Sequence, residues 1–350
     1  MAGGRGERFW PLSRASSPKQ LLPIVGRRSL LESTVSRIVS LVPPTRIYVI
    51  TSKHLQSEVA KRLAGFRGIT VVGEPAGKNT APAIGLASSL ISMVEPDAVT
   101  LVVPSDHMVK GKREFISDVR KAVRVAQSRK LVVFGIKPDR PETGYGYVQV
   151  GGRAGSVGKG VFTVRSFVEK PDHKNAVRLL RSGCHYWNSG MFVWRVDALL
   201  GEIRKHLPAL AKSIEAFSSE SSGRSFRERL DRFYSGVEAV SIDYGLLERS
   251  SDIVMVRASF SWDDVGSWLS LERILSKDKR GNVLSGETVA VDTRNCVLVA
   301  SSGVVATLGV ENLVVVRTEN ATLVCAKERA QGIKKISRIL SSSKKLKRHL

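Results

Sequence analysis

The stretch Ala2-Gly3-Gly4-Arg5-Gly6-Glu7-Arg8-Phe9-Trp10-Pro11-Leu12-Ser13 combines three glycines with two arginines. Glycines let backbone N–H groups approach an anion closely, and successive amides form a concavity that suits phosphate. Pro18-Lys19-Gln20 follows, so Arg8 and Lys19 could both reach a triphosphate. Two familiar phosphate loops are excluded: no Gly-Lys-Ser/Thr closes a P-loop, and Phe9 stands where the dinucleotide fingerprint needs its last glycine. Acids suited to a metal lie far downstream. Val103-Pro104-Ser105-Asp106-His107 places a carboxylate just past an apolar run, and Trp262-Asp263-Asp264-Val265-Gly266-Ser267-Trp268 places two in an aromatic-flanked turn. Mg²⁺ needs only one or two carboxylates, because substrate phosphates and water complete its shell. The six histidines show no zinc spacing.

Three further segments have groups that suit a sugar phosphate. Thr143-Gly144-Tyr145-Gly146-Tyr147 permits close backbone approach and supplies hydroxyls. Phe167-Val168-Glu169-Lys170-Pro171 sets a carboxylate beside an ammonium, and Trp187-Asn188-Ser189-Gly190-Met191-Phe192 carries an amide into an apolar run. Carboxylate and amide groups recognise sugar hydroxyls, and lysine recognises phosphate. Taken singly, each is equally a hairpin turn, a surface ion pair or a bulged strand; their coincidence on one chain carries the weight.

Ordered elements must hold these loops. Residues 46–51, 69–72, 99–103 and 130–134 read as buried strands. Residues 29–41, 55–64, 81–94 and 113–127 read as amphipathic or apolar helices. Strands alternating with helices predict βαβ units and a Rossmann-like, mixed, mostly parallel sheet with helices on both faces. Ligands of such sheets bind beyond the carboxyl ends of strands, which is where Glu74 and Asp106 fall. Residues 135–160 suit a loop and hairpin. Asp172 is expected to cap a helix ending at Gly183, and Asp197 one running to Pro208. From Gly281 short strands recur at 288–291, 296–300, 304–308, 313–317 and 322–326, the spacing of an all-β module or a few coils of a β-helix. The expected division is a catalytic domain over 1–276, a β module over 281–335 and a basic tail over 336–350.

The 350 residues carry 55 Lys+Arg against 32 Asp+Glu, a net charge of +23. Such a chain favours anionic partners. The last 24 residues alone hold nine Lys/Arg and one Glu, and Ser341 to Arg348 read as a solvated tail. No aromatic residue interleaves them, which disfavours single-stranded nucleic acid as partner. No run of 18 apolar residues exists, so no membrane span is expected. Cys184, Cys296 and Cys325 form no CxxC pair or even framework, and with no secretory leader they read as reduced thiols of a cytoplasmic protein.

The loop Gly3 to Ser13 with Pro18-Lys19-Gln20 resembles the signature of sugar-phosphate nucleotidylyltransferases, in the variant of mannose-1-phosphate guanylyltransferases. Glu74-Pro75-Ala76-Gly77-Lys78-Asn79-Thr80-Ala81-Pro82 resembles that family's guanine-side loop. Ser241-Ile242-Asp243-Tyr244 and the Trp262–Trp268 segment extend the match to residues 2–335. Some relatives carry an additional phosphomannose isomerase domain, for which no room is expected here. The resemblance implies GMP transfer from GTP to mannose 1-phosphate, with release of pyrophosphate. It assigns Arg8, Lys19 and Asp106 to catalysis, with Mg²⁺ on Asp106 and Asp264. Gly3, Gly4, Gly6, Glu74, Asn79, Thr80 and Ser105 would hold the nucleotide, and Gly146, Glu169, Lys170 and Asn188 the sugar phosphate.

Three alternatives stay open: a sister enzyme using another sugar phosphate or nucleotide, a non-catalytic GDP-mannose-binding regulator, and a nucleic-acid binder using the tail. A homodimer is also open. In two places the sequence departs from the family pattern. Lys78 stands where relatives have arginine, and lysine cannot make arginine's planar bidentate contact. Relatives also have a short apolar strand before the glycine loop, whereas Met1 here directly precedes Ala2. The expectation is a translation start further upstream.

Overall fold

Up to residue 263 the β-branched runs become strands. They are β1 (Tyr48–Ser52), β2 (Thr70–Glu74), β3 (Val99–Val102), β4 (Met108–Lys110), β5 (Leu131–Ile136), β6 (Tyr147–Arg153), β7 (Val161–Val168), β8 (His185–Arg195), β9 (Ile253–Arg257) and β10 (Ser261–Asp263). The computed structural model describes residues 1–4, 6–154, 159–219 and 225–350; Arg5 of the glycine loop lies outside them. The chain forms two units whose borders do not follow chain order. One comprises Met1, Ser40–Pro104 and Val109–Trp262; the other comprises Ala2–Val39, Ser105–Met108 and Asp263–Leu350.

The first unit is an α/β layer structure. β1 and β2 pair in parallel, Tyr48 with Thr70 through Ser52 with Glu74. A six-stranded mixed sheet runs β3-β8-β5-β9-β7-β6. Its β5 and β9 are parallel, while β8 runs antiparallel to both β3 and β5. Leu131 to Phe134 of β5 are all fully buried, as an unbroken apolar run requires. Leu131 and Val133 join the core formed with Ile84, Ile203 and Ile214 from the helices Thr80–Ser92, Val196–His206 and Pro208–Ser219. Phe134 meets Phe260, which meets Phe115 of the helix Lys112–Ala126. Helices therefore cover both faces, as the alternation of strands and helices predicts.

Local rules set the helix starts. Ser29 and Glu32 form a reciprocal capping box for the helix Leu30–Ile38. Asp172 caps His173–Arg181 through the Asn175 N–H, as expected. Asp197 does not cap its helix: Arg195 holds the N-cap position of Val196–His206, and Asp197 lies inside the first turn. Its carboxylate is taken by the Arg195 guanidinium at 3.0 Å and by the Ala198 N–H at 2.8 Å. A negative charge is favourable there beside the helix N-terminus.

In the second unit the C-terminal strands are β11 (Val283–Ser285), β12 (Thr288–Val291), β13 (Val297–Ala300), β14 (Val305–Leu308), β15 (Leu313–Arg317) and β16 (Thr322–Ala326). β11, β13 and β15 stack in parallel, as do β12 and β14. Successive coils of one chain give this pattern, so the module is β-helix-like rather than a meander. Its core continues into the amino-terminal loop: Phe9, Trp10, Val265 and Trp268 share one cluster with Val297, Val314 and Val316. Among the described residues, no helix is long and apolar enough to cross a membrane.

The basic carboxyl terminus is not simply a solvated tail. Ile333–Ser342 is a helix, with Ile333 and Leu340 buried in that same cluster and Ile336 packed against it. These residues fall at helical spacing on one stripe, and burying each such side chain is worth about 1.5–3 kcal/mol. The lysines and Arg338 take the opposite side. The chain end is tied as well, since the Leu350 carbonyl accepts from the Ala15 N–H at 3.1 Å and the His349 carbonyl from Trp10 Nε1 at 3.0 Å.

Candidate active site

Within the second unit, Lys19 gathers the phosphate-type residues. The 3-10 turn Lys19–Leu21 buries it, leaving 6% exposed. Its Nζ makes a 2.7 Å ion pair with Asp106 Oδ2 and donates to the carbonyls of Asp264 at 2.8 Å and Val265 at 3.2 Å. All three ammonium protons thus have acceptors. Burial pushes the Asp106 carboxyl upward, but the adjacent Lys19 ammonium outweighs it and holds the carboxyl down at about 2. His107, 3.8 Å from Asp106, is pushed below its usual range, chiefly by burial.

Gly6 makes this packing possible. Its φ is +63°, and a Cβ there would meet Lys19 Cβ at 2.5 Å and Lys19 N at 2.8 Å. The Gly6 carbonyl accepts from Ser13 Oγ at 2.7 Å, which fixes the turn. Gly3 and Gly4 are exposed, and nothing lies within 4 Å of a Cβ built on Gly4. Arg8 Nη1 donates to the Gly266 carbonyl at 3.5 Å.

The paired aspartates are not equivalent. Asp263 is held by Arg273 at 2.5 and 3.1 Å and accepts from the Val265 N–H. Asp264 accepts from the Gly266 N–H at 3.1 Å, while its own carbonyl is tied to Lys19. Arg8 Nε, Ser105 Oγ and Gln20 Oε1 are buried without a hydrogen-bond partner among the described residues. Unpartnered buried polar atoms are rare and mark a place for a ligand or water. Among the described residues, no group of three or more His, Cys, Asp or Glu is arranged as a metal cage. The donor set therefore does not fit a structural metal. It does fit a Mg²⁺ that arrives with phosphates and takes one or two carboxylates.

Within the first unit, the sugar-type residues converge. β8 bulges opposite β5, so that Val133 pairs Phe192 but Gly135 pairs Asn188. Bulges of this kind re-aim side chains. The Asn188 N–H donates to the Gly146 carbonyl at 2.8 Å. A Cβ on Gly146 would meet Glu169 Oε2 at 2.4 Å and Phe167 Cζ at 3.0 Å, so the bare glycine backbone lies close against both side chains. Glu169 pairs with Lys170 at 2.7 Å, and its N–H donates to Glu248 Oε1 at 3.2 Å. Gly146, Glu169, Lys170 and Asn188 are thus one neighbourhood, as the sequence suggests.

Asn79 and Thr80 have structural duties. Asn79 adopts φ 68° and caps the helix Thr80–Ser92, and Thr80 Oγ1 accepts from the Ile242 N–H at 2.9 Å. Glu74, at the carboxyl end of β2, is buried and accepts from the Tyr234 hydroxyl at 2.7 Å. Burial pushes its carboxyl above the usual range.

Tyr234, Glu248 and Asp243 are neighbours of the site that sequence reasoning missed. Asp243 opens a π-helical turn, Asp243–Leu247, and its Oδ1 accepts from Asn188 Nδ2 at 2.8 Å. The segment Ser241–Tyr244 was legible as part of the family resemblance, but nothing local gave its aspartate a role.

Residues 1–281 match the nucleotidyl transferase family, and residues 286–340 the MannoseP isomerase/GMP-like beta-helix domain. The xanthan biosynthesis protein XanB of Xanthomonas campestris pv. campestris is 39% identical over 339 residues, covering 96% of this chain and 71% of that protein. A mannose-1-phosphate guanylyltransferase of Klebsiella pneumoniae is 37% identical over 354 residues, covering 100% of this chain and 75% of that protein. The crystal structure of a Thermus thermophilus protein titled mannose-1-phosphate geranyltransferase superposes with a TM-score of 0.89 at 37% identity, covering 98% of both chains. The match over residues 1–281 spans most of this chain: the chain belongs to the nucleotidyl transferase family.

Proposed function

We propose that the protein transfers GMP from GTP to α-D-mannose 1-phosphate, yielding GDP-mannose and pyrophosphate. The carrying observation is the similarity, along the whole chain, to relatives named mannose-1-phosphate guanylyltransferase. An oxygen of the sugar phosphate attacks the α-phosphorus of GTP in line; the new P–O bond forms as the bond to pyrophosphate breaks, with no covalent enzyme intermediate. Such a transfer asks the protein for positioning and charge neutralisation. Arg8 and Lys19 neutralise the triphosphate, and Gly3, Gly4, Gly6 and Ser105 present N–H and O–H donors to it. Glu74, Asn79 and Thr80 serve the nucleoside end. Gly146, Glu169 and Asn188 hold the sugar, and Lys170 its phosphate.

Asp106 and Asp264 are the residues that would hold Mg²⁺, which supplies charge neutralisation on the phosphates when bound. For Asp264 this reading is favoured over Asp263, because Arg273 already occupies the Asp263 carboxylate. We keep 1–276 as the catalytic region and 281–335 as a supporting module. We place the reaction in the cytoplasm, where Cys184, Cys296 and Cys325, all free thiols here, stay reduced. A homodimer is favoured by the outward face of β12 and β14, where Val289, Val291 and Leu308 are 51%, 47% and 72% exposed.

The deciding test is a matrix of nucleotides against sugar phosphates, with pyrophosphate release as readout. GTP with mannose 1-phosphate and Mg²⁺ should turn over fastest. Faster turnover of another pair would make the protein a sister enzyme, and binding of GDP-mannose with no turnover of any pair would make it a regulator.

A further inference from the structure

Asn188 makes two side-chain hydrogen bonds among the described residues. Its Nδ2 donates to Asp243 Oδ1 at 2.8 Å, and its Oδ1 accepts from the Gly190 N–H at 3.2 Å. A carboxylate can only accept and a backbone N–H can only donate, so these partners admit one orientation of the amide and forbid its flip. One N–H and one carbonyl lone pair then remain for a ligand. Glu169, on the same neighbourhood, is an acceptor. A sugar hydroxyl that donates to Glu169 can therefore accept from Asn188.

We infer that Asp243 is a positioning residue of the sugar-phosphate site, setting which way the Asn188 amide faces and so which hydroxyl pattern the site accepts. This rests on the proposed function, in which Asn188 and Glu169 hold the sugar. Three observations carry it. The bulge in β8 falls between Asn188 and Phe192, so that Asn188, at its edge, pairs with Gly135 of β5. Gly190, the other clamp, has φ +68°, a conformation suited to glycine. Asp243 begins a π-helical turn, a rare form that recurs at functional sites. The arrangement is also unfavourable for the fold: Asp243 is half-buried close to Glu169, with Lys170 as the nearby cation, and its carboxyl is pushed up to about 6, chiefly by burial and then by Glu169. A carboxylate kept at such a site serves something other than stability.

The test is a double-mutant cycle read by steady-state kinetics with GTP and mannose 1-phosphate. Asp243→Ala should raise KM for mannose 1-phosphate about ten-fold, with KM for GTP within two-fold of wild type. Asp243→Asn keeps a carbonyl acceptor in the same place and should restore most of the loss. Asp243→Ala added to Asn188→Ala should cost less than two-fold more than Asn188→Ala alone, because a positioning residue has nothing left to position. An unchanged KM for the sugar phosphate in Asp243→Ala, or losses that multiply in the double variant, would overturn the inference. Should Asp243→Ala fail to fold, Asp243→Ser replaces it in the cycle, since its shorter side chain cannot span the bond to Asn188. Should the wild type bind mannose 1-phosphate in calorimetry yet release no pyrophosphate, the proposed reaction fails while the inference is still decided, by whether Asp243→Ala weakens that binding ten-fold or leaves it equal. No binding at all by the wild type overturns both.

Discussion

Asp106 and Asp243 are the same residue type with opposite chemistry. Asp106, in the second unit, sits 2.7 Å from a buried lysine and is held at about 2. Asp243, in the first, is turned toward an amide and a neighbouring carboxylate and is pushed up to about 6. Burial acts upward on both; the difference is whether a cation is buried alongside. In the proposed function the first carboxylate serves among phosphates, whereas the second orients the Asn188 amide beside the sugar. One lysine's position separates the two chemistries.

Three changes would break or sharpen that contrast. The largest effect is expected from Asp106→Asn, which should lower pyrophosphate release by about 10²-fold or more while leaving the sugar-type group intact. The measurement is kcat at saturating GTP and mannose 1-phosphate, and turnover near wild type would remove Asp106 from the machinery. Next comes Lys19→Met. It leaves the Asp106 carboxylate without its cation and should destabilise the fold by roughly 2–4 kcal/mol, less than for a fully buried pair because Asp106 is 30% exposed. The Tm should fall by several degrees, and adding Asp106→Asn should recover part of it. A double variant no more stable than Lys19→Met would show that the ion pair is not what Lys19 contributes.

The smallest effect is expected from Asp243→Asn, in the opposite direction. The carboxyl of Asp243 is raised in the fold by burial and by Glu169, with Lys170 acting against them. Its folded pKa lies above the unfolded value. The contribution of its neutral form is fully present below about pH 4 and is lost as pH rises through about 6. Asparagine does not titrate, so the Tm of the variant relative to wild type should climb by a few degrees between pH 4 and pH 7. A falling difference would mean that the bond to Asn188 matters more to the fold than the buried charge. Asp106 behaves oppositely: its stabilisation is present above about pH 4 and lost as pH falls toward about 2.

Much of the fold was legible because its signals are local. The unbroken apolar run of β5, the Ser29–Glu32 box and the Asp172 cap each depend on a few adjacent residues. The carboxyl-terminal helix was missed because nine basic residues dominate the composition of the last 24, while Ile333, Ile336 and Leu340 at helical spacing decide the structure. Asp197 was misread because a guanidinium two residues earlier competes for its carboxylate. At the site, Lys19, Asp106, Glu169 and Asn188 stood out by type and setting. Asp243, Tyr234 and Glu248 did not, since each acquires its role from a partner 55 or more residues away.

The sequence by itself determined the inventory: a glycine loop with basic residues, acids after strand ends, a coil-forming β module and a family resemblance written in contiguous motifs. Tertiary structure alone decided in which direction each carboxyl is shifted, which aspartate of the 263–264 pair is paired with Arg273, and which way the Asn188 amide faces. The physical reason is that desolvation and hydrogen-bond direction are set by groups remote in the chain. Residue type fixes only what a side chain can do, and the environment selects among those possibilities.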